Sequence, residues 1–350
     1  VRLTVVFSGA ALGALSLLTV AAHAQSARRA SDRLRRRARY ERTLDATTDR
    51  RGAPLSLPRA AQPVPFSEAP APRTNAARPY DHVVLLSIDG LRPDAIALSD
   101  APNLERLSQR GLSATEARTI TLSYTLPSHA SMLAGVDAPT HGLVHNDFTP
   151  RHGFSRAPTA LYFAHDAGLA TAMFVSKPKF RHLAIPGSVD VFERPSYQCP
   201  AVARRAASYI ANVGAGLTFV HLSEPDSAGH DRGWMTVAYL RAIAAADVCL
   251  GALLTAIEAR RDRDRFLLIV TSDHGGHGRT HGSTREVDRR IPWIAWGSAV
   301  RPGPHTEPVS VMDSAATALA ALGLPLPPEL EGRPVRAALS RATSGARAAP

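Results

Sequence analysis

Three short stretches each place an acid beside histidines or hydroxyls, directly after a run of β-branched and aliphatic residues: SIDG at 87–90, SEPDSAGH at 223–230 and TSDHGGHGRTHG at 271–282. A fourth, TLPSH at 125–129, offers a threonine hydroxyl just ahead of a proline. A two-metal phosphoryl-transfer site needs about seven oxygen and nitrogen donors, carboxylates and imidazoles foremost, with one position open to water or substrate. Asp89, Asp226, His230, Asp273, His274 and His281 are donors of this kind, and the Thr125 hydroxyl completes the set. No thiolate is required, and Cys199 and Cys249 stand apart from all of these motifs.

The elements that must position these groups are legible in the same runs. Asp89 follows HVVLLSI, Asp226 follows LTFVHLSEP and Asp273 follows FLLIVTS, so each carboxylate falls at or just past the carboxyl end of a predicted buried strand. In open α/β sheets that edge is where ligands bind. Strands predicted near 82–88, 169–175, 217–222, 266–271 and 291–296 alternate with helices near 101–110, 127–134, 200–211, 234–258 and 311–322. Such alternation predicts an α/β fold with a mostly parallel central sheet covered by helices on both faces.

Each residue also has a plainer reading. An aspartate after a strand serves as a helix cap or turn former, and Asp226 with His230 at i and i+4 fits a surface pair on a helix. His277 competes with His281 as the last imidazole, and Ser123 or Ser128 with Thr125 as the hydroxyl. His129, His141 and His145 read as supporting or structural, and Lys177 and Lys179 in SKPKF as lysines of a solvated loop, with contact to substrate as the alternative. Asp247 interrupts an apolar helical stripe of Leu240, Ile243, Leu250, Leu254 and Ile257, as an acid bonded to a neighbouring loop would.

Taken in order, IDGLRPD at 88–94, YTLPSHASMLAG at 124–135, HGLVHN at 141–146, EPDSAGH at 224–230, SDHGGHG at 272–278 and THG at 280–282 carry a family resemblance. From about Asp81 to Gly303 the chain resembles the alkaline phosphatase superfamily and, within it, the type I phosphodiesterase/nucleotide pyrophosphatase family. The resemblance implies an alkaline phosphatase-like fold and two divalent cations, Zn2+ by preference. It implies that Asp89, Asp273, His274 and the Thr125 hydroxyl hold one metal, and Asp226, His230 and His281 the other. Asn146, 21 residues after Thr125, matches an asparagine that holds a non-bridging phosphoryl oxygen. The long insertion that family members often carry before the last histidine is missing, with six residues between His274 and His281.

The chemistry then implied is hydrolysis of a phosphodiester or nucleotide pyrophosphate bond. A threonine hydroxyl is inert at neutral pH, and coordination to a divalent cation lowers its pKa enough to make it a nucleophile. Pro127 suits the first turn of a helix that Gly135 ends, and helix-terminal N–H groups would face the phosphate. Phosphomonoester or phosphonate hydrolysis, or a mutase, are alternatives on the same scaffold, and a non-enzymatic binding protein is a third class. Sulfatase chemistry is disfavoured because Thr125-Leu126-Pro127-Ser128-His129 lacks the modifiable cysteine or serine and the arginine of that motif. Asn146, in place of a further cation, leans toward diesters.

The rest of the sequence gives context. Residues 1–24, an apolar run at 3–22 after Arg2 that leads into Ala22-His23-Ala24, read as a secretory signal peptide and direct the protein to the periplasm or outside the cell. Arg28, Arg29, Arg33, Arg35, Arg36, Arg37 and Arg39 follow at once and oppose translocation, which keeps an uncleaved membrane anchor as the alternative. Residues 25–80, rich in Arg, Ala and Pro without apolar periodicity, read as a disordered linker, residues 81–340 as the catalytic domain and 341–350 as a disordered tail. Residues 1–80 hold 14 Arg against 5 Asp or Glu, a net of +9 that leaves +2 of the chain's +11 for residues 81–350. Basic charge therefore belongs to the linker, which is open to weak contact with membrane or other anions, and the domain shows no specific nucleic-acid site. The partner it implies is a small phosphate ester or nucleotide. Two cysteines allow one disulfide in an exported chain; a buried free thiol inside a long helix is the alternative for Cys249.

Overall fold

The computed structural model describes residues 78–339. The leader at 1–24, most of the linker at 25–80 and the tail at 341–350 lie outside the described residues. Three strands make the centre of the sheet: β1 (His82–Ile88), β6 (Gly216–Leu222) and β7 (Phe266–Thr271). Every residue of the three is buried, which is why they read as unbroken apolar runs rather than alternating ones. Around them lie β2 (Leu112–Ala114), β4 (Ala170–Phe174), β5 (Val191–Glu193), β8 (Trp293–Gly297) and β9 (Gly303–His305), in the order β5-β4-β6-β1-β7-β8-β2-β9. The short strands β3 (Ala117–Arg118) and β10 (Val309–Ser310) pair separately.

Register decides where the site forms. In the parallel pairs beside β1, Ile88 lies opposite Leu222 and Ser87 opposite Thr271, so the three strands end almost flush and deliver their next residues to one edge. β4 joins the same parallel set through β6. The sheet is mostly parallel, as the alternation predicts, except that β8 runs antiparallel to β7 and to β2.

Alternate residues of β1 feed two cores. Val83 and Leu85 pack with α2 (Thr125–Ala134), α3 (Ala160–Asp166) and α7 (Asp313–Ala321) on one face. Val84, Leu86 and Ile88 pack with α1 (Pro102–Arg110), α4 (Cys199–Asn212) and α6 (Val237–Glu258) on the other. Full burial of such a side chain stabilises by roughly 1.5–3 kcal/mol. Neither α3 nor the remaining longer helix, α5 (Glu224–Arg232), is among the predicted ones. The sequence of α5, EPDSAGHDR, has little apolar periodicity and is set by the site it carries.

Among the described residues α6 alone is long and apolar enough to cross a membrane, but it buries Tyr239, Ile243, Leu250, Leu254 and Ile257 in the core. It starts at Val237, with the Thr236 hydroxyl accepting from the Tyr239 amide, rather than at 234. Asp247, on its buried face, accepts from the amides of Asn103 and Leu104 at 3.1 and 2.8 Å. It thereby caps α1 from another helix, satisfying donors that the start of α1 leaves open. Cys199 at the first turn of α4 and Cys249 of α6 form a buried disulfide, which excludes the free-thiol alternative.

Candidate metal centre

The turn after β1 is where the three acid motifs meet. Asp89 donates its amide to the Leu222 carbonyl at 2.9 Å, and Asp226 donates its amide to the Asp89 carbonyl at 3.0 Å. Gly90, at φ 71°, donates to Asp273 Oδ1 at 3.2 Å, and a Cβ there would lie 3.0 Å from the Asp226 Cα. Only glycine suits both that backbone conformation and that approach. The Gly90 carbonyl is clamped by Trp234 Nε1 at 3.0 Å and the Tyr239 hydroxyl at 2.8 Å.

Two donor groups result: Asp89, Asp273 and His274 in one, Asp226, His230 and His281 in the other, each with its ligand atoms within 4.8 Å of one another. His274 Nε2 lies 3.3 Å from Asp89 Oδ1, 3.2 Å from Asp273 Oδ2 and 4.0 Å from Asp226 Oδ1. Asp226 Oδ1 is also 3.3 Å from His230 Nε2 and 3.7 Å from His281 Nε2, so it stands between the groups. The rings of His274 and His281 stack at 3.6 Å.

Two observations test whether these residues fit metal ions. Asp89 Oδ1, Asp226 Oδ1, Asp273 Oδ2 and His274 Nε2 are all buried without a hydrogen-bond partner, although such atoms are costly to leave unsatisfied. Moreover, the Nδ1 of each imidazole faces a backbone carbonyl: His274 that of Gly275 at 2.8 Å, His281 that of Ser123 at 2.9 Å and His230 that of Arg279 at 3.1 Å. Nδ1–H donation fixes the tautomer and leaves an Nε2 lone pair facing the carboxylates, the arrangement a metal ligand needs. The donor set fits divalent cations of the zinc type.

Charge in the cage is unbalanced without them. Burial, reinforced by the charge of Asp89, pushes Asp273 well above the usual carboxylate range. Burial would raise Asp89 too, but the Lys177 ammonium and the hydrogen bond from His221 hold it well below that range. Burial and the neighbouring His274 take His281 down to about 3, which keeps it neutral.

Thr125 is buried and opens α2, in whose first turn Pro127 lies and which Gly135 ends at φ 69°. Its neighbours tie it to both groups. The Ser123 carbonyl bonds His281, while the Thr125 carbonyl bonds His129, 3.4 Å from Asp273 Oδ2. The competing hydroxyls are engaged elsewhere, Ser123 with the Ser283 carbonyl and Ser128 with Thr119. His277 bonds Asp288 Oδ1 at 2.7 Å, leaving His281 as the imidazole that faces Asp226. Asn146 Oδ1 accepts from the Leu126 amide at 3.0 Å and from Lys179 Nζ at 2.9 Å. His129 bonds Ser87, His141 bonds Ser131, and His145 bonds the Asp147 carbonyl, in supporting roles.

The reading of Lys177 as a loop lysine is corrected here. Its side chain is 12% exposed and its Nζ lies 2.6 Å from both Asp89 Oδ2 and Asp226 Oδ2, one oxygen from each donor group. It follows β4 at the edge that gathers the aspartates, so the same strand-end rule pointed to it. His221, 2.9 Å from Asp89 Oδ2 and fully buried, was also missed. Its signal was one imidazole inside a strand of otherwise apolar character.

Comparison with known proteins bears on the fold and the class of reaction. The family model for type I phosphodiesterase / nucleotide pyrophosphatase matches residues 83–160, and that of the metalloenzyme superfamily matches residues 163–325. Human ectonucleotide pyrophosphatase/phosphodiesterase family member 5 is 25% identical over 211 residues, covering 55% of this chain and 44% of that one. The bis(5'-adenosyl)-triphosphatase of Xenopus laevis is 25% identical over 224 residues, covering 58% and 48%. The chain thus spans less than half the length of these curated relatives. Among solved structures, inactive murine ectonucleotide pyrophosphatase / phosphodiesterase 5 in complex with AMP has a TM-score of 0.61 at 17% identity, covering 70% of this chain and 96% of that one. A phosphonate monoester hydrolase from Silicibacter pomeroyi has a TM-score of 0.58 at 16% identity, covering 76% and 78%. Motif order, fold and family models point one way: the chain is similar to the type I phosphodiesterase/nucleotide pyrophosphatase family of the alkaline phosphatase superfamily.

Proposed function

We propose that the protein hydrolyses phosphate esters, of phosphodiester or nucleotide pyrophosphate type, through a covalent phosphothreonine at Thr125. Asp89, Asp273, His274 and Thr125 hold one divalent cation in this reading and Asp226, His230 and His281 the other, with Zn2+ preferred. When bound, the cations lower the pKa of a coordinated hydroxyl and neutralise phosphoryl oxygens. Thr125 Oγ attacks phosphorus, the Oγ–P bond forms as the ester or anhydride P–O bond breaks, and the alcohol, or the phosphate of a pyrophosphate bond, leaves with the proton that the hydroxyl gives up. Water then attacks the phosphothreonine, releasing phosphate or a phosphate monoester and restoring the hydroxyl. The chain's own contribution is to hold the three imidazoles by their Nδ1 atoms, to pin the outer oxygens of Asp89 and Asp226 with Lys177, and to offer the Asn146 amide to a phosphoryl oxygen.

The convergence of four buried, unpartnered ligand atoms carries this reading. The Cys199–Cys249 disulfide supports export to an oxidising compartment, periplasmic or secreted. The test is turnover of bis-p-nitrophenyl phosphate and p-nitrophenyl phosphate by the full chain, with and without chelator, for the natural protein and Thr125→Ala. Chelator-insensitive turnover, or full activity in the alanine variant, removes the mechanism. The ratio between the two esters fixes mono- against diester preference.

A further inference from the structure

Lys179 carries a positive charge that the fold does not balance. Its Nζ bonds the neutral Asn146 Oδ1, and among the described residues no carboxylate lies within ion-pair distance of it. Burial and the neighbouring Lys177 push its pKa down to about 8. An ammonium half-withdrawn from water without a counter-ion is held at a cost, so the site favours an anion beside it.

The surroundings define where that anion sits. Lys177 and Lys179 flank Pro178, which opens a short 3-10 turn directly after β4. Lys177 spends two of its donors on Asp89 Oδ2 and Asp226 Oδ2, and an ammonium has three. Asn146 Oδ1 is taken by Leu126 and Lys179, so its amide nitrogen remains as a donor next to the start of the helix that carries Thr125. Three cationic or donor groups thus adjoin the nucleophile, outside the two metal-binding groups.

We propose that Lys179 and Lys177, with the second N–H of the Asn146 amide, seat a second anionic group of the substrate, a carboxylate or a further phosphoryl group carried close to the reacting phosphorus. The proposal rests on the hydrolase reading and narrows its substrate class to doubly anionic molecules.

Calorimetry on the metal-loaded full chain tests it with three probes: methylphosphonate with one anionic group, phosphoglycolate with an added carboxylate, and methylenediphosphonate with a second phosphoryl group. The expected result is binding of at least one doubly anionic probe ten or more times tighter than methylphosphonate. Whichever is favoured identifies the second group. Lys179→Gln should reduce that advantage to twofold or less, and Lys179→Arg should keep most of it. Asn146→Asp, which sets a carboxylate beside Lys179, should also abolish it. Equal affinity for all three probes in the natural protein, or an advantage that survives both Lys179→Gln and Asn146→Asp, overturns the proposal. Absence of turnover with the binding pattern intact would instead count against the hydrolase reading alone.

Discussion

Nε2 of His274 faces Oδ1 of Asp89 across 3.3 Å, and neither atom has a hydrogen-bond partner although both are buried. Nδ1 of the same ring is directed at the Gly275 carbonyl, so the proton lies on the far side and two lone pairs point at each other. Two acceptors in contact repel unless a metal cation or a proton lies between them, and Asp226 Oδ1 meets His281 Nε2 in the same way at 3.7 Å.

Lys177 supplies part of that missing charge. Replacing it with methionine removes the donor shared by Asp89 Oδ2 and Asp226 Oδ2 and leaves buried charge uncompensated. Breaking a buried pair in this way costs about 3–5 kcal/mol. Chemical denaturation of the chelated protein should show a loss of that size, and saturating Zn2+ should recover more stability in Lys177→Met than in the natural protein. Equal stability of the two chelated proteins would contradict the role given to Lys177.

The disulfide is a second test of how the site is braced. Its first cysteine donates its amide to Glu224, the residue that opens the helix carrying Asp226. With the cysteines 50 positions apart in sequence, chain entropy gives the cross-link a stabilisation of about 4 kcal/mol. Cys199→Ala paired with Cys249→Ala should lower the urea midpoint accordingly and weaken Zn2+ retention. An unchanged midpoint would show that packing of α4 on α6 suffices alone.

His141 makes stability depend on pH. It is fully buried, accepts from the Leu143 amide at Nδ1 and bonds Ser131 at Nε2, and burial drives its pKa down to about 4. Because the folded value lies below the unfolded value of 6.5, its contribution is complete above pH 6.5 and is lost as pH falls toward 4. The shift corresponds to about 3 kcal/mol. Urea denaturation of the chelated protein at pH 7 and pH 4.5 should show a smaller drop for His141→Gln than for the natural protein, by roughly 2 kcal/mol. Identical drops would assign the acid sensitivity to other groups.

What the sequence reveals and conceals follows from locality. Asp89, Asp226 and Asp273 are legible because buried parallel strands leave uninterrupted apolar runs, and the polar residue at each end marks the ligand edge. The edge strands β5 and β9, and β2 beside β9, are three residues each, too short for a period to register. The direction of β8 is a tertiary property without a local signature, and so is the meeting of Cys199 with Cys249. Lys177 misleads for a different reason. A lysine beside a proline is ordinary in a solvated loop; its place after a strand end pointed to the ligand edge, and the pairing of β4 with β6 adds that it turns inward to two carboxylates.

Elemental analysis of the purified full chain tests the central claim most directly. Two divalent ions per molecule are expected, falling to one or fewer in Asp226→Asn and in Asp273→Asn. A natural protein that retains none at saturating Zn2+, or variants that retain both, would contradict it.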